Sequence, residues 1–152
     1  MLMLLFSCED ALYALDTSQV VEVIPRVILR KVHRVPEYIA GLFNYRGAIV
    51  PVLDLCYLIQ SKSCQSYLST RIIMVNYVDK ENTKRYLGLM AEQVTETLNK
   101  PDAELMNAES QINEAPYLGE MIMDEKGMIQ RIRLDYLLTD AQHKYLLAAG
   151  EH

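Results

Sequence analysis

The sequence predicts a mainly β protein, built as a barrel or a pair of barrels with a few short helices. Three observations lead there. About nine or ten short apolar runs recur along the chain, each long enough for a strand and too short for a typical helix. Turn residues separate several of them, as at Glu9-Asp10, Tyr45-Arg46-Gly47 and Asp124-Glu125-Lys126-Gly127. No fixed-period repeat and no low-complexity tract interrupts the pattern. Regularly spaced short strands of this kind close on one another in small barrels.

Taken in order, "LMLLF" (2–6) reads as a buried first strand, and "ALYAL" (11–15) pairs with it as a hairpin. Residues 16–25, "DTSQVVEVIP", change character. Asp16 with Gln19 three residues on resembles a capping box, and Val20, Val23 and Ile24 fall on one helical face. A short helix is expected there, stopped by Pro25. Residues 27–35, "VILRKVHRV", read as a β-rich run broken by Pro36. Two strands follow, "GLFNYR" and "AIVPVLDL", around a glycine-containing turn. Residues 60–69 make a loop, and "TRIIMVNYV" (70–78) is a strand with "RYLGLMAEQV" (85–94) as its hairpin partner. Residues 95–116 read as a polar surface loop that starts with a short strand. Residues 117–134 form a second hairpin, and 135–152 look helical, with Asp135 as N-cap and a fraying end.

Composition narrows the function. The chain has 152 residues, enough for one domain or two small ones sharing a core, and 51% of them are hydrophobic. Its net charge of −5 disfavours nucleic acid as the main partner, since phosphate neutralisation needs clustered Lys and Arg. The apolar start is about six residues long with no basic segment before it, so it is read as a strand rather than a signal peptide. No run approaches the ~18 apolar residues of a membrane helix, so no direct membrane insertion is expected. The cysteines are Cys8, Cys56 and Cys64. Their odd number, with no CxxC pair, fits a reducing, cytoplasmic compartment better than a disulfide framework. Cys56 is expected in the core and Cys64 in an exposed, oxidisable loop.

No enzyme constellation is present. His33, His143 and His152 lack metal-ligand spacing, and neither a GxSxG nor a GxxxxGK[ST] segment occurs. No catalytic residue, metal or cofactor is therefore assigned. Met74, Met90, Met121 and Met123 sit in strand-like runs and are expected in the core.

The most informative stretch is "GLFNYRGAIVPVLDL" (41–55). Gly47 relieves the backbone at a tight turn or bulge, and Arg46 is carried outward at a strand end on a rigid frame. Pro51 removes a ladder donor, so its strand should be an edge or a bulged one. An outward arginine beside a strand edge suits a docking surface, because its planar fork makes several directed bonds.

The spacing of Pro36, Ile39, Gly41, Asn44, Arg46, Gly47, Ile49, Pro51, Asp54 and Leu55 resembles the signature of the CheW-like domain, the chemotaxis coupling module. "YALDTSQVVEVIP", "TRIIMVNY…YLGLMAEQVTETL" and "YLGEMIMDEKGMIQRIRLDYLL" are similar to other parts of that family, in order. The resemblance covers residues 2–139 as one CheW-like domain and leaves 140–152 as a helical tail. It implies two packed five-stranded, SH3-like β-barrels and no catalytic activity. It implies two partners, the regulatory domain of a CheA-type histidine kinase and the cytoplasmic tip of a chemoreceptor, with recruitment to membrane-associated receptor arrays. Carried over residue by residue, Val20, Glu22, Gly41 and Arg46 lie at the receptor face. Asn44, Gly47, Pro51 and Asp54 hold the turn and its flanks. The kinase contact, made through apolar barrel surface in the family, is assigned to no residue. The alternative is a small β-barrel module that binds another protein or a nucleic acid without kinase coupling. Tyr45 departs from the family, which usually has an aliphatic residue there.

Overall fold

Alternation inside the apolar runs decides the architecture. In the computed structural model, residues 2–65, 67–78, 81–99, 105–106 and 117–139 are described. The first strand, β1 (Leu2–Cys8), sends Leu4, Phe6 and Cys8 to one side and Met3 and Leu5 to the other, and both sides are buried. A strand covered on both faces needs an uninterrupted apolar run, which is what "LMLLF" is. The same holds for β6 (Arg71–Val78): Ile73, Val75 and Tyr77 face one cluster, Ile72 and Met74 another.

Two sheets result. One contains β1, β2 (Ala11–Asp16), β8 (Gln93–Asn99), β9 (Leu105–Met106), β10 (Leu118–Asp124) and β11 (Gly127–Ile132), in the order β8-β1-β2-β11-β10-β9. The other contains β3 (Val20–Pro25), β4 (Ile39–Tyr45), β5 (Ala48–Asp54), β6 and β7 (Lys84–Ala91), in the order β3-β6-β7-β5-β4. The five-stranded sheet is thus a continuous insert between the two halves of the six-stranded one. Among the described residues, all pairings are antiparallel except β2 with β11 and β5 with β7. A shared core, including Phe6, Leu15, Leu53, Ile73, Leu89 and Leu134, lies between the sheets. Each sheet also curls over a smaller core of its own, one built on Leu5 and Ile122, the other on Val52 and Met74. Burying one such side chain fully contributes about 1.5–3 kcal/mol. The fold is mainly β and SH3-like in its two lobes. Among the described residues, the six-stranded lobe carries one strand more than expected, the two-residue β9, and neither ladder closes on itself.

Several elements differ from the sequence reading. The helix expected over 16–25 is a single 3₁₀ turn, Thr17–Gln19, capped by Asp16, which accepts a hydrogen bond from the Ser18 N–H at 2.8 Å. Val20 to Pro25 then runs as β3 against β6, where β-branched side chains pack better than on a helix. Val20 and Glu22 are therefore strand residues. The β-rich run 27–35 forms no strand. Its one ladder contact is Arg30 with Leu42, two backbone bonds of 2.8 and 2.9 Å. Pro51 is not on an edge strand, since β5 lies between β4 and β7. The pairing with β7 begins only at Val52, so Pro51 faces a single neighbour and its missing donor costs no bond there. A short helix, α1 (Leu55–Gln60), follows β5 and was not anticipated; Asp54 caps it by accepting from the Tyr57 N–H at 3.0 Å. The last described helix, α2 (Leu134–Thr139), holds Asp135 in its first turn rather than as its cap. The tail 140–152 lies outside the described residues, as does most of 100–116. Met74 is buried and Met90 and Met121 are partly so, but Met123 is 53% exposed opposite Met128 on the β10–β11 hairpin.

Candidate functional site: the β4–β5 hairpin and the edge strand β3

The turn that joins β4 to β5 has two residues, Arg46 at φ +52° and Gly47 at φ +84°, between the paired Tyr45 and Ala48. Both angles are left-handed, as a tight hairpin turn requires. The Asn44 side chain fixes the turn by accepting from the Gly47 N–H at 3.0 Å. The arginine is thereby held at the tip of a rigid hairpin, as the sequence suggested.

What Arg46 touches was not visible in the sequence. Its Nη2 donates to Glu22 Oε2 at 2.6 Å. Its guanidinium carbon sits 5.0 Å from the centroid of the Tyr45 ring, within cation–π range. Tyr45 is buried and meets Tyr86 edge-on at 5.2 Å, so the platform beneath Arg46 is itself anchored in the core. Burial raises the Tyr45 phenol pKa, opposed by the Arg46 charge, so the ring stays neutral at physiological pH. The departure from an aliphatic residue at position 45 thus gives the arginine an aromatic seat.

The position of the pair matters more than its strength. Glu22 lies on β3 and Arg46 at the end of β4, the two outer strands of the five-stranded sheet. The bond crosses the gap between those edges. Its side chains are 55% and 39% exposed, so it adds little stability, yet it holds two charges at the mouth of the lobe. The backbone bridge of Arg30 to Leu42 joins the same two regions farther along. Gly41 makes this second closure possible. A Cβ there would stand 2.6 Å from the Arg30 carbonyl oxygen and 2.8 Å from Leu29 Cβ. Gly41 is therefore buried beneath the 29–30 segment, and Val20 is half-buried against the shared core at the start of β3. Of the four residues assigned to one face, Glu22 and Arg46 meet directly.

Beside the hairpin lies a cavity of about 580 Å³, lined by Arg30, Lys31, His33, Asn44 and the half-exposed Ile49, among others. This basic rim stands out in an acidic chain. The run Leu29-Arg30-Lys31-Val32-His33-Arg34 carries the signal: its charges cluster in a segment whose apolar residues suggest only a strand.

The cysteines correct the sequence reading. Cys8 and Cys56 are joined by a disulfide, with Cα atoms 5.3 Å apart and a sequence separation of 48. Spacing gave no hint, because only the fold brings the end of β1 against the start of α1. Cys56 is in the core, as expected; Cys64 is half-buried rather than exposed. Asp54 holds the Cys64 segment as well, accepting from its N–H at 2.9 Å.

Comparison with known proteins decides the family. Residues 2–142 match the CheW-like domain. The chain belongs to the CheW-like domain family. Chemotaxis protein CheW of Bacillus subtilis (strain 168) is 26% identical over 106 residues, 70% of this chain and 65% of that protein. Chemotaxis protein CheW of Klebsiella aerogenes is 26% identical over 96 residues, 63% of this chain and 55% of that one. The chain thus spans between about half and two thirds of the length of these CheW relatives. The crystal structure of scaffolding protein TtCheW from Thermoanaerobacter tengcongensis superposes with a TM-score of 0.79 at 25% identity, over 93% of this chain and 89% of that one. Among the described residues no helix is long and apolar enough to cross a membrane.

Proposed function

We propose that the chain is a non-catalytic adaptor, a single CheW-like domain over 2–139 that holds a chemoreceptor's cytoplasmic tip and the regulatory domain of a CheA-type histidine kinase in one assembly. The observation that carries this reading is the Arg46–Glu22 pair. It places a rigid, exposed arginine and an acid across the mouth of one lobe, in a chain whose relatives are chemotaxis proteins. The basic cavity beside it supports an acidic partner through charge complementarity. Coupling in such an adaptor comes from contacts that differ between two receptor states, not from bond making. Each contact is modest, and repetition in a membrane-associated array raises avidity. The adaptor works in the cytoplasm and needs no cofactor.

Co-sedimentation with vesicles that display receptor tips tests this. Arg46→Glu removes the donor and sets two acids against each other. It should abolish sedimentation with the vesicles while leaving the circular dichroism spectrum and kinase-domain binding unchanged, because an exposed pair contributes little to folding. Sedimentation equal to that of the unaltered chain would refute the assignment of Arg46 to the receptor face.

A further inference from the structure

Three sulfurs meet where the two sheets join. Cys8 ends β1 of the six-stranded sheet, and Cys56 lies in α1, just after β5 of the five-stranded one. They are bonded to each other and are 0% and 2% exposed. Cys64 is the free thiol. Its Sγ lies 2.9 Å from Cys56 Sγ and donates to the Met90 carbonyl oxygen at 3.3 Å. A soluble oxidant has no direct path to Cys8 or Cys56. Cys64, by contrast, lines a cavity of about 370 Å³ with Arg26, Leu29, Gln65, Thr70 and Met90.

We propose that the three cysteines form a thiol–disulfide relay, in which Cys64 accepts oxidation from a low-molecular-weight disulfide and passes it through Cys56 to Cys8. In the reduced chain, the Cys64 thiolate, its proton lost to water, attacks one sulfur of the small disulfide. A mixed disulfide forms and the other half leaves as a thiol. Cys56 then loses its proton and attacks Cys64 Sγ, which releases the second half as a thiol and forms the Cys56–Cys64 bond. Cys8 loses its proton and attacks Cys56 Sγ, and the electron pair of the breaking bond leaves on Cys64, which is reprotonated. Two electrons and two protons pass from Cys8 and Cys56 to the small disulfide, and Cys64 is regenerated. The end state is the arrangement in the structure, with the buried pair bonded and the accessible cysteine free.

A cation site is the rival use of these groups, since ligand atoms of Asp54, Cys56 and Cys64 lie within 4.8 Å of one another. The contacts favour the relay. The Asp54 carboxylate already accepts from the N–H groups of Tyr57 and Cys64. In the bonded arrangement of the structure the Cys56 sulfur is taken up by Cys8. Burial first, then Asp54 and Glu92, push the Cys64 thiol pKa up, which disfavours the standing thiolate a metal ligand requires. The same shift leaves little thiolate at neutral pH, so the first attack is slow and quickens as pH rises, and the relay rests on the contact between the three sulfurs. The relayed bond ties one sheet to the other, so oxidation of the cavity thiol becomes a covalent link across the seam. This inference is independent of the adaptor reading.

The test uses the full reduced chain, oxidised glutathione as probe, alkylation at timed intervals and peptide mass mapping. A glutathione adduct should appear first on Cys64, followed by the Cys8–Cys56 bond with Cys64 alkylated. Cys64→Ser should slow formation of that bond about tenfold or more, and Cys8→Ser should stop the sequence at Cys56–Cys64. Circular dichroism checks that each variant folds, and the order of adducts in the unaltered chain reads the relay without any variant. Bond formation in Cys64→Ser at the unaltered rate, a first adduct on Cys8 or Cys56, or one equivalent of zinc held by the reduced chain through Cys64 would overturn the proposal.

Discussion

Arg46 and the two glycines near it show how single backbone angles build the hairpin tip. Gly47, at φ +84°, has open space around it, because a Cβ would meet nothing within 4 Å. Gly41, at φ +155°, combines an angle that side chains rarely adopt with a close approach to Leu29 and Arg30. The two should fail differently. Gly47→Val carries backbone strain alone and should cost about 1–2 kcal/mol. Gly41→Ala adds overpacking and should cost about 2–4 kcal/mol, although it introduces one methyl group. Urea unfolding midpoints measure both. Equal midpoints for Gly41→Ala and the unaltered chain would mean that the 29–30 segment does not rest on β4.

At the scale of elements, the cross-link between β1 and α1 is the feature with the largest expected effect on stability. Closing a loop of 48 residues removes unfolded-state entropy worth about 4 kcal/mol in the chain-entropy account. Reduction, or Cys8→Ser, should lower the urea midpoint accordingly, and a midpoint insensitive to reductant would show that the bond does not constrain the chain. A second tie at the same seam does not involve the sulfurs: the Gln60 amide donates to the Cys8 carbonyl at 3.1 Å and to the Tyr13 hydroxyl at 3.0 Å. Most strands were legible in the sequence. Runs such as 70–78 are apolar on both faces, and the Asp124–Gly127 turn marks its hairpin unmistakably. The misread elements were those whose local signal competes with tertiary pairing. Asp16 does cap a turn, but a neighbouring strand claims the valines after it. Residues 27–35 have β character, but only Arg30 finds a ladder partner. At the hairpin site the turn was readable, because Asn44, Arg46 and Gly47 are neighbours in sequence. The Glu22 contact and the meeting of three cysteines were not, because residues far apart in the chain make them and no local pattern encodes that.

For the whole molecule, the insertion of one sheet into the other explains how so short a chain presents two lobes. The N-terminal hairpin and the C-terminal hairpin pair side by side through β2 and β11, so the chain's two halves close around the central insert. Two lobes over one shared core give the proposed adaptor separate surfaces fixed in relation to one another, with the Arg46–Glu22 mouth on one of them. The measurement that tests this account most directly is titration calorimetry of the full chain against the regulatory domain of its cognate histidine kinase. Saturable one-to-one binding with a Kd of about 1 μM, near −8 kcal/mol, is the predicted result. No heat of binding from the folded chain at concentrations well above that Kd would contradict the adaptor role.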